Sequence, residues 1–370
     1  CRRRKAGSFM VWQWPSWCCP GGLVGASGPK WQLRMMNETM KQLGVTLALG
    51  VAGAGLATAA GLPAAALIGA TVATSVAAAA GVSLRMDPHL RNFGFATIGL
   101  SLGSGVSPGI LADLGHWGFS LAVLCVSLAV TLWVGAAILR RGFGIGAETA
   151  VLATSPGALS YAMAIAEEGR GDATAIMVIQ SLRLFLLASV LPVLIWALVE
   201  APVLPVHVVM GLGPFALLLV AASGSGWVLA RWGLPAAWLI AGFATSGVAH
   251  GTGLVQGFLP GWALFAGFTL TGAAIGARFS GLRVVTLKRY AGAALVAGGA
   301  SALISFAFAA LVAAVTALPL GQLWVAFAPG GVEAMAAMGL ALGYDPAFVA
   351  VHHLVRLAVL FVLVPLFLRR

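Results

Sequence analysis

The stretch Thr154-Ser155-Pro156-Gly157-Ala158 interrupts a long apolar segment, and Ala328-Pro329-Gly330-Gly331 interrupts a second one at the corresponding place in the second half of the chain. Proline removes a backbone donor and glycine relaxes the local dihedral angles, so each helix is expected to break there. In hydrocarbon, broken backbone is tolerated only where it is buried in protein or lines a watery cavity. The two breaks therefore predict an interior functional site near the midplane. A pair of packing kinks is the alternative.

The composition indicates a membrane protein. Of the 370 residues, 60% are hydrophobic and only 8% are charged, too few polar side chains to cover a soluble protein of this size. Apolar stretches of about 18–25 residues recur from Leu43 to Leu368, and this length crosses a hydrocarbon layer about 30 Å thick. The predicted fold class is an all-α, polytopic membrane protein with about 10–12 transmembrane segments. Its expected location is the bacterial inner membrane, so the lipid bilayer is its first partner.

The sequence is a tandem duplication. One constant offset, which lays Pro156 on Pro329, also aligns Gly99 with Gly272, Gly103 with Gly276, Asp172 with Asp345 and Arg183 with Arg356. Gly61-Leu62-Pro63-Ala64-Ala65 matches Gly233-Leu234-Pro235-Ala236-Ala237 at an offset that is shorter by one position. The predicted organisation is an N-terminal extension at 1–42, a first membrane repeat at 43–200 and a second at 207–368. Because the extension lacks a methionine start and a counterpart, we expect it to be disordered or to precede the native start.

Basic loops test whether the halves are parallel or inverted, since Lys and Arg accumulate in cytoplasmic loops. They follow the second and fourth apolar segments of the first half but the first and third of the second half. These residues are Arg85, Arg91, Arg140 and Arg141, then Arg231, Arg278, Arg283, Lys288 and Arg289. The patterns are out of phase, which predicts inverted-topology repeats with broken helices. Inversion needs an odd number of crossings per half, so one segment must span only half the membrane or join a neighbour; the terminal Arg369-Arg370 pair does not fit this scheme.

An arginine in apolar surroundings follows each break. Arg183 follows Pro156 at the same distance along the chain as Arg356 follows Pro329. A charge inside the membrane costs several kcal/mol unless it faces the bundle interior, a partner or water. We therefore expect both arginines to lie inside, where they bind an anionic substrate or pair with Glu333. The alternative is a structural role, in which each arginine satisfies carbonyl groups freed by the break.

The predicted site is built from both halves. The substrate-binding set is Ser155, Pro156, Gly157, Ser160, Gln180, Arg183, Pro329, Gly330, Gly331, Glu333, His353 and Arg356. Glu333 and His352 are the candidates for proton or ion coupling, because a carboxylate beside a helix break binds cations or protons and imidazole titrates near neutral pH. Hydrogen-bonded core histidines are the alternative. No metal site, cofactor or catalytic group is predicted, because the cysteines lack metal spacing and no paired carboxylates or Ser-His-Asp order occurs.

The motifs resemble those of a known family. Ser155-Pro156-Gly157-Ala158-Leu159-Ser160 and Val178-Ile179-Gln180-Ser181-Leu182-Arg183, with their second-half counterparts around Pro329 and Arg356, are similar to motifs of the AbrB-duplication family of bacterial membrane proteins. The resemblance covers about residues 43–368. Members have been labelled regulators of gene expression and sometimes ammonia monooxygenases. A monooxygenase needs clustered metal ligands, which the six scattered histidines do not provide.

The leading hypothesis is a secondary transporter of a small organic anion or metabolite, with its site between the two breaks. The alternative is a membrane-embedded regulator that acts indirectly on gene expression. We expect no enzyme activity and no direct nucleic-acid binding, because the chain leaves no room for a soluble domain and its basic residues form no patch with aromatic side chains. The substrate is unidentified, and homo-oligomer formation is left open.

Overall fold

The computed structural model describes residues 29–106, 110–157, 159–199 and 208–369. These residues form helices and no strand apart from an isolated bridge between Val209 and Phe258, so the predicted all-α class is confirmed. The described residues from Lys41 onward form one compact unit, and the described residues before Lys41 belong to another. The helices are α1 (Pro29–Ala59), α2 (Ala65–Ala79), α3 (Pro88–Gly103), α4 (Ile110–Phe143), α5 (Ala147–Thr154), α6 (Leu159–Glu167), α7 (Ala173–Leu198), α8 (Leu212–Arg231), α9 (Ala237–Gly251), α10 (Gly261–Ala277), α11 (Val284–Val315), α12 (Leu320–Phe327), α13 (Val332–Ala341) and α14 (Pro346–Leu368).

The duplication is visible in the backbone, because α8–α14 repeat the order of α1–α7 with similar lengths. The turn before α2 and the turn before α9 have the same conformation. Gly61 and Gly233 have φ of 69° and 73°, and Ala64 and Ala236 have φ of 48° and 52°. The left-handed conformation is rare for alanine, so its recurrence marks both turns as copies of one ancestral turn. Of the predicted N-terminal extension, residues 29–42 belong to α1, and residues 1–28 lie outside the described part.

Six of the described helices are long and apolar enough to cross a membrane, namely α1, α4, α7, α8, α11 and α14. The helices α2, α3, α9 and α10 have only 15 to 17 residues and run beside them. Glycines let these shorter helices touch. A Cβ at Gly99 of α3 would lie 2.2 Å from the Leu239 carbonyl oxygen of α9, and a Cβ at Gly272 of α10 would lie 2.6 Å from that of Leu67 of α2. The glycines therefore allow these helices to pack closely.

Each Pro-Gly break is the tip of a re-entrant helical hairpin. The backbone N–H of Asp172, which follows α6, donates to Thr149 Oγ1 near the start of α5 over 2.9 Å. The equivalent bond in the second half joins the Asp345 N–H to Gln322 Oε1 over 3.1 Å. The chain therefore enters and leaves at the same end, and the eight residues of α5 bring the tip about 12 Å inward. Each hairpin is the half-spanning segment that an inverted repeat requires.

The two hairpins enter from opposite ends of the bundle. Arg170, at the open end of hairpin 1 (α5–α6), donates to Glu148 Oε1 over 2.7 Å and to the Leu368 carbonyl oxygen over 3.4 Å. Leu368 ends α14, whose 23 residues extend about 34 Å from the open end of hairpin 2 (α12–α13) beside Asp345. The open ends therefore lie on opposite sides, as inverted repeats demand.

Basic residues collect at the open end of hairpin 1, which we call the basic end. The Tyr290 hydroxyl donates to Asp172 Oδ2 over 3.2 Å, which brings the start of α11 to the end of α4 and the start of α5. The basic end carries Arg140, Arg141, Arg170, Arg283, Lys288, Arg289 and Arg369. The expectation that Arg369 does not fit the inverted scheme is wrong, because α14 returns to this end; Arg370 lies outside the described residues.

We expect cysteines at Arg141 and Lys288 to be labelled from the same side of the membrane and a cysteine at Ala317 from the opposite side. Ala317 is exposed and lies just before hairpin 2. Each replacement is made in a background without Cys1, Cys18, Cys19 and Cys125, and labelling is measured with an impermeant maleimide in cells and inverted vesicles. Labelling of Arg141→Cys and Lys288→Cys from different sides contradicts the inverted assignment.

Candidate functional site

Arg183 of α7 caps the C-terminal end of α5. Its Nη1 donates to the Thr154 carbonyl oxygen over 2.8 Å, and its Nη2 donates to that of Ser155 over 3.2 Å. Gln180 adds a bond of 2.7 Å from its Nε2 to the Leu152 carbonyl oxygen. The last carbonyl groups of a helix have no partner within it, and hydrocarbon offers none. The arginine and the glutamine supply the missing donors, because α7 runs beside α5 from the open end of hairpin 1 to its tip.

Arg356 of α14 does the same for hairpin 2. It donates from Nη1 to the Ala328 carbonyl oxygen and, over 2.9 Å, from Nη2 to the Gly330 carbonyl oxygen. The side chains of Arg356 and Arg183 are 0% and 4% exposed. These contacts are those of the structural alternative, in which each arginine satisfies carbonyl groups freed by a break. In both guanidinium groups Nε is buried and has no hydrogen-bond partner among the described residues.

The two hairpin tips meet. Gly157 has φ of 78°, a conformation that suits glycine, and a Cβ built on it would lie 3.4 Å from both Arg356 Nη2 and the Gly330 carbonyl oxygen. The first tip therefore lies against the second tip and against the arginine that holds it. This contact brings the two breaks, which belong to different halves of the chain, into one site, as the sequence predicts.

A cavity of about 140 Å³ lies between the tips and the basic end. Six of the predicted site residues line it: Gly157, Gln180, Arg183, Gly330, Gly331 and Glu333. Tyr161 of α6, the Pro235-Ala236 turn and Arg278 form a further part of its wall. Its remaining walls are apolar and come largely from Leu184 of α7 and from Leu357, Leu360 and Phe361 of α14. The site is therefore a small, charged space within an apolar bundle.

The other predicted residues lie around the cavity without lining it. Ser155 is buried and its Oγ donates to the Leu152 carbonyl oxygen over 2.8 Å. Pro156 and Pro329 are buried at the tips, and the Ser160 side chain lies outside the described part. Arg356 does not line the cavity, and its Nη2 lies 3.4 Å from a Cβ built on Gly157.

The histidine pair is buried in the core. His352 Nε2 lies 2.9 Å from Ser120 Oγ, its Nδ1 lies 2.8 Å from the Phe348 carbonyl oxygen, and its ring stacks on the Phe348 ring at 3.9 Å between centroids. His352 is thus a hydrogen-bonded core histidine, as the alternative interpretation predicts. His353 is 0% exposed, and neither of its ring nitrogens has a described partner. Neither histidine is among the residues that line the cavity.

Arg278 is the site residue that the sequence argument missed. It follows the last residue of α10, its side chain is exposed, and it lines the cavity together with residues of the hairpin tips. In the sequence it stands out only as a basic loop residue. A signal was available, because the offset that aligns the two breaks also aligns Arg278 with Gly105, just as it aligns Glu333 with Ser160. Arg278 and Glu333 are therefore charged residues of the second half whose counterparts in the first half are uncharged.

Electrostatics at the cavity favours anions. The N-terminus of α13 lies at the cavity, and its N-cap Gly331 supplies no side chain to satisfy the first-turn amides. These amides carry the positive end of the helix dipole. Glu333 is the only carboxylate that lines the cavity among the described residues, and it interacts electrostatically with Arg278 and Arg356 without forming a described ion pair with either.

The fold and site define the class: a polytopic helical membrane protein of two inverted repeats, whose re-entrant hairpins meet at a charged interior cavity. A family model described as transition state regulatory protein AbrB matches residues 66–370, so the chain belongs to the AbrB family. The chain is also similar to the uncharacterized protein YhjN of Bacillus subtilis (strain 168). The two are 24% identical over 298 residues, which cover 74% of this chain and 76% of YhjN. The family resemblance drawn from the two hairpin motifs is thereby confirmed.

We expect Arg183→Lys and Arg356→Lys each to lower the free energy of unfolding by about 1.5–3 kcal/mol, the contribution of a hydrogen bond to a charged group. A lysine keeps the charge but lacks the planar fork that reaches two carbonyl oxygens at once. Unfolding is measured in detergent by denaturant titration. The control is Arg231→Lys, because Arg231 is exposed, lies over the Trp227 ring and does not line the cavity. Equal stability of all three variants would mean that the carbonyl contacts contribute little.

Proposed function

We propose that this protein is a secondary transporter of small organic anions, with its binding site in the cavity between the hairpin tips. The observation that carries the proposal is the charge of that cavity. The guanidinium groups of Arg183 and Arg278 and the N-terminus of α13 face a single carboxylate, Glu333. Positive groups that converge on a small space inside an apolar bundle match the charge of an anionic solute.

The charge balance supports an anion more strongly than any single contact. Around the two tips lie three arginines, Arg183, Arg278 and Arg356, and one carboxylate, Glu333. Their charges sum to an excess of two positive charges. The C-terminal ends of α5 and α12 offset part of the charge of the arginines that cap them, and the N-terminus of α13 adds partial positive charge at the cavity. Buried charge without a counter-charge is costly in surroundings of low dielectric constant. A bound anion removes that cost, and an inward-facing carrier exchanges it with water.

The position of the cavity supports alternating access. Besides the tips, its wall includes Tyr161 of α6 and Phe361 of α14, two helices that end at the basic end, so the cavity opens towards that end. The positive-inside rule assigns that end to the cytoplasm. On the other side, the tips and the buried residues Phe327 and Met335 separate the cavity from the opposite face. This is the arrangement of an inward-facing carrier, and inverted repeats give the same chain an equivalent outward-facing packing.

The alternative is a membrane-embedded regulator, which the description of the matched family names. A regulator that acts through a protein partner has no need of an interior cavity with excess positive charge. A transporter that controls the level of a metabolite would change gene expression without contacting DNA. Solute binding that depends on Arg278 separates the two hypotheses.

We expect Arg278→Gln to weaken anion binding about 10- to 100-fold, because it removes a charged hydrogen-bond donor from the cavity. Stability should stay near that of the unaltered protein, since Arg278 is exposed and forms no hydrogen bond or ion pair with the described residues. Ligands are first found with a thermal-shift screen of the purified protein against a metabolite library, and their affinity is then measured by calorimetry. The control is Arg231→Gln. Unchanged affinity in Arg278→Gln contradicts the proposed site.

We expect the affinity of a ligand to depend more on its charge than on its shape. The excess of two positive charges predicts that succinate, a dianion, binds about tenfold or more tightly than succinamate or butyrate, which have similar size and one negative charge. Glu333→Gln removes the only carboxylate that lines the cavity among the described residues and should improve binding of all three compounds. Uptake into proteoliposomes with the same compounds tests transport directly. Equal affinity for butyrate and succinate contradicts selection by the excess charge.

A further inference from the structure

A second groove opens on the outer surface at the basic end, away from the hairpin tips. It has a volume of about 670 Å³ and lies between the last part of α4, the start of α5 and the end of α14. Trp133 and Arg140 with Arg141 line it from α4, and Phe367 and Leu368 line it from α14. It shares no lining residue with the cavity of the proposed transport site.

The groove changes character along the helix axis. Trp133 is 65% exposed on a helix long enough to cross the membrane, so its ring faces lipid. The rise of the helix from Trp133 to Arg141 is about 12 Å. This distance is close to half of a hydrocarbon layer about 30 Å thick. The groove is therefore apolar along about one leaflet and cationic at the depth of the head groups.

The two arginines at the rim are available to an external anion. Arg140 and Arg141 are exposed, and no described residue forms a hydrogen bond or an ion pair with either. The acid that lines the same groove, Glu148, is already paired with Arg170 at 2.7 Å. In the last turn of α4 both arginines also complement the helix dipole. That role does not account for an apolar groove that continues below them.

We propose that this groove binds an anionic phospholipid, with the phosphate on Arg140 and Arg141 and an acyl chain along Trp133, Phe367 and Leu368. Basic pockets between membrane helices suit anionic head groups. A free phosphate ion would use the two arginines but not the apolar wall, which extends about 12 Å along the helix. The bound lipid would also contact the start of α5, and it would hold α4, hairpin 1 and α14 together at the basic end.

The test is native mass spectrometry of the full chain in detergent, with dioleoyl phosphatidylglycerol compared with dioleoyl phosphatidylethanolamine. We expect one phosphatidylglycerol to remain bound under conditions that remove phosphatidylethanolamine. The double variant Arg140→Gln/Arg141→Gln should bind phosphatidylglycerol about tenfold more weakly. The matched control Arg231→Gln/Arg283→Gln removes the same charge from two exposed arginines that do not line the groove, and it should bind like the unaltered protein.

Two further measurements separate the head group from the acyl chain. Trp133→Ala should weaken binding of dioleoyl phosphatidylglycerol and leave its short-chain dihexanoyl analogue unaffected, because only the long chain reaches Trp133. Inorganic phosphate in millimolar excess should not displace the bound lipid. The proposal is overturned if the two arginine pairs have equal effects, if both dioleoyl lipids bind equally, or if phosphate competes with the lipid. None of these outcomes bears on the proposed transport site.

Discussion

The structure depends on one constraint: a backbone that stops being helical inside hydrocarbon must still satisfy its polar groups. Each hairpin tip frees carbonyl groups at the end of α5 or α12, where the surrounding hydrocarbon offers no hydrogen-bond donor. One arginine from the following helix donates to two or three of them. The guanidinium group is suited to this task, because it has five donors in a fixed plane and remains charged when buried. The cost of burying that charge is offset by the partial negative charge of the helix end it contacts. The tips in turn fix the position of the cavity and of the residues that line it.

The hairpins are held in place by closely packed helices, and glycines allow part of that packing. The helices α3 and α9 pack in parallel, as do α2 and α10, and these two pairs are equivalent under exchange of the halves. In each pair glycines place the backbones so close that a methyl group would overlap a carbonyl oxygen, as at Gly99, Gly242 and Gly272. Packing of this kind is the main attractive contribution between helices in lipid, where apolar surface gains little by leaving the hydrocarbon. The loosely filled region, by contrast, lies beside the tips, where Arg278 and Glu333 face the cavity.

Most of the architecture was predictable from the sequence, because it depends on local chemistry that repeats. Pro156 and Pro329 mark the breaks, their fixed distance to Arg183 and Arg356 marks the residues that cap them, and the out-of-phase arginines give the orientation.

Two features were not predictable. The re-entrant course of each hairpin depends on contacts such as Asp172 with Thr149, which link residues without a recognisable motif. Arg278 was missed because a basic residue after an apolar helix is normally a loop residue, and only the fold turns it towards the cavity. For His352 the titratable side chain suggests coupling, and the structure adds contacts with Ser120 and Phe348 that are those of a core residue.

Departures from symmetry carry most of the information about function. Arg183 and Arg356 each satisfy the free carbonyl groups of one hairpin tip. An inverted repeat therefore requires both arginines for structural reasons alone. Arg278 and Glu333 have no such explanation, since the first half closes the same tip with Gly105 and Ser160 at those positions. Arg278 and Glu333 are charged and line the cavity, and neither forms a hydrogen bond or an ion pair with a described residue. Glu333 balances only one of the positive charges at the cavity, and an arginine beside an apolar wall without a counter-charge is costly. The small anion proposed as the transported solute would supply that counter-charge.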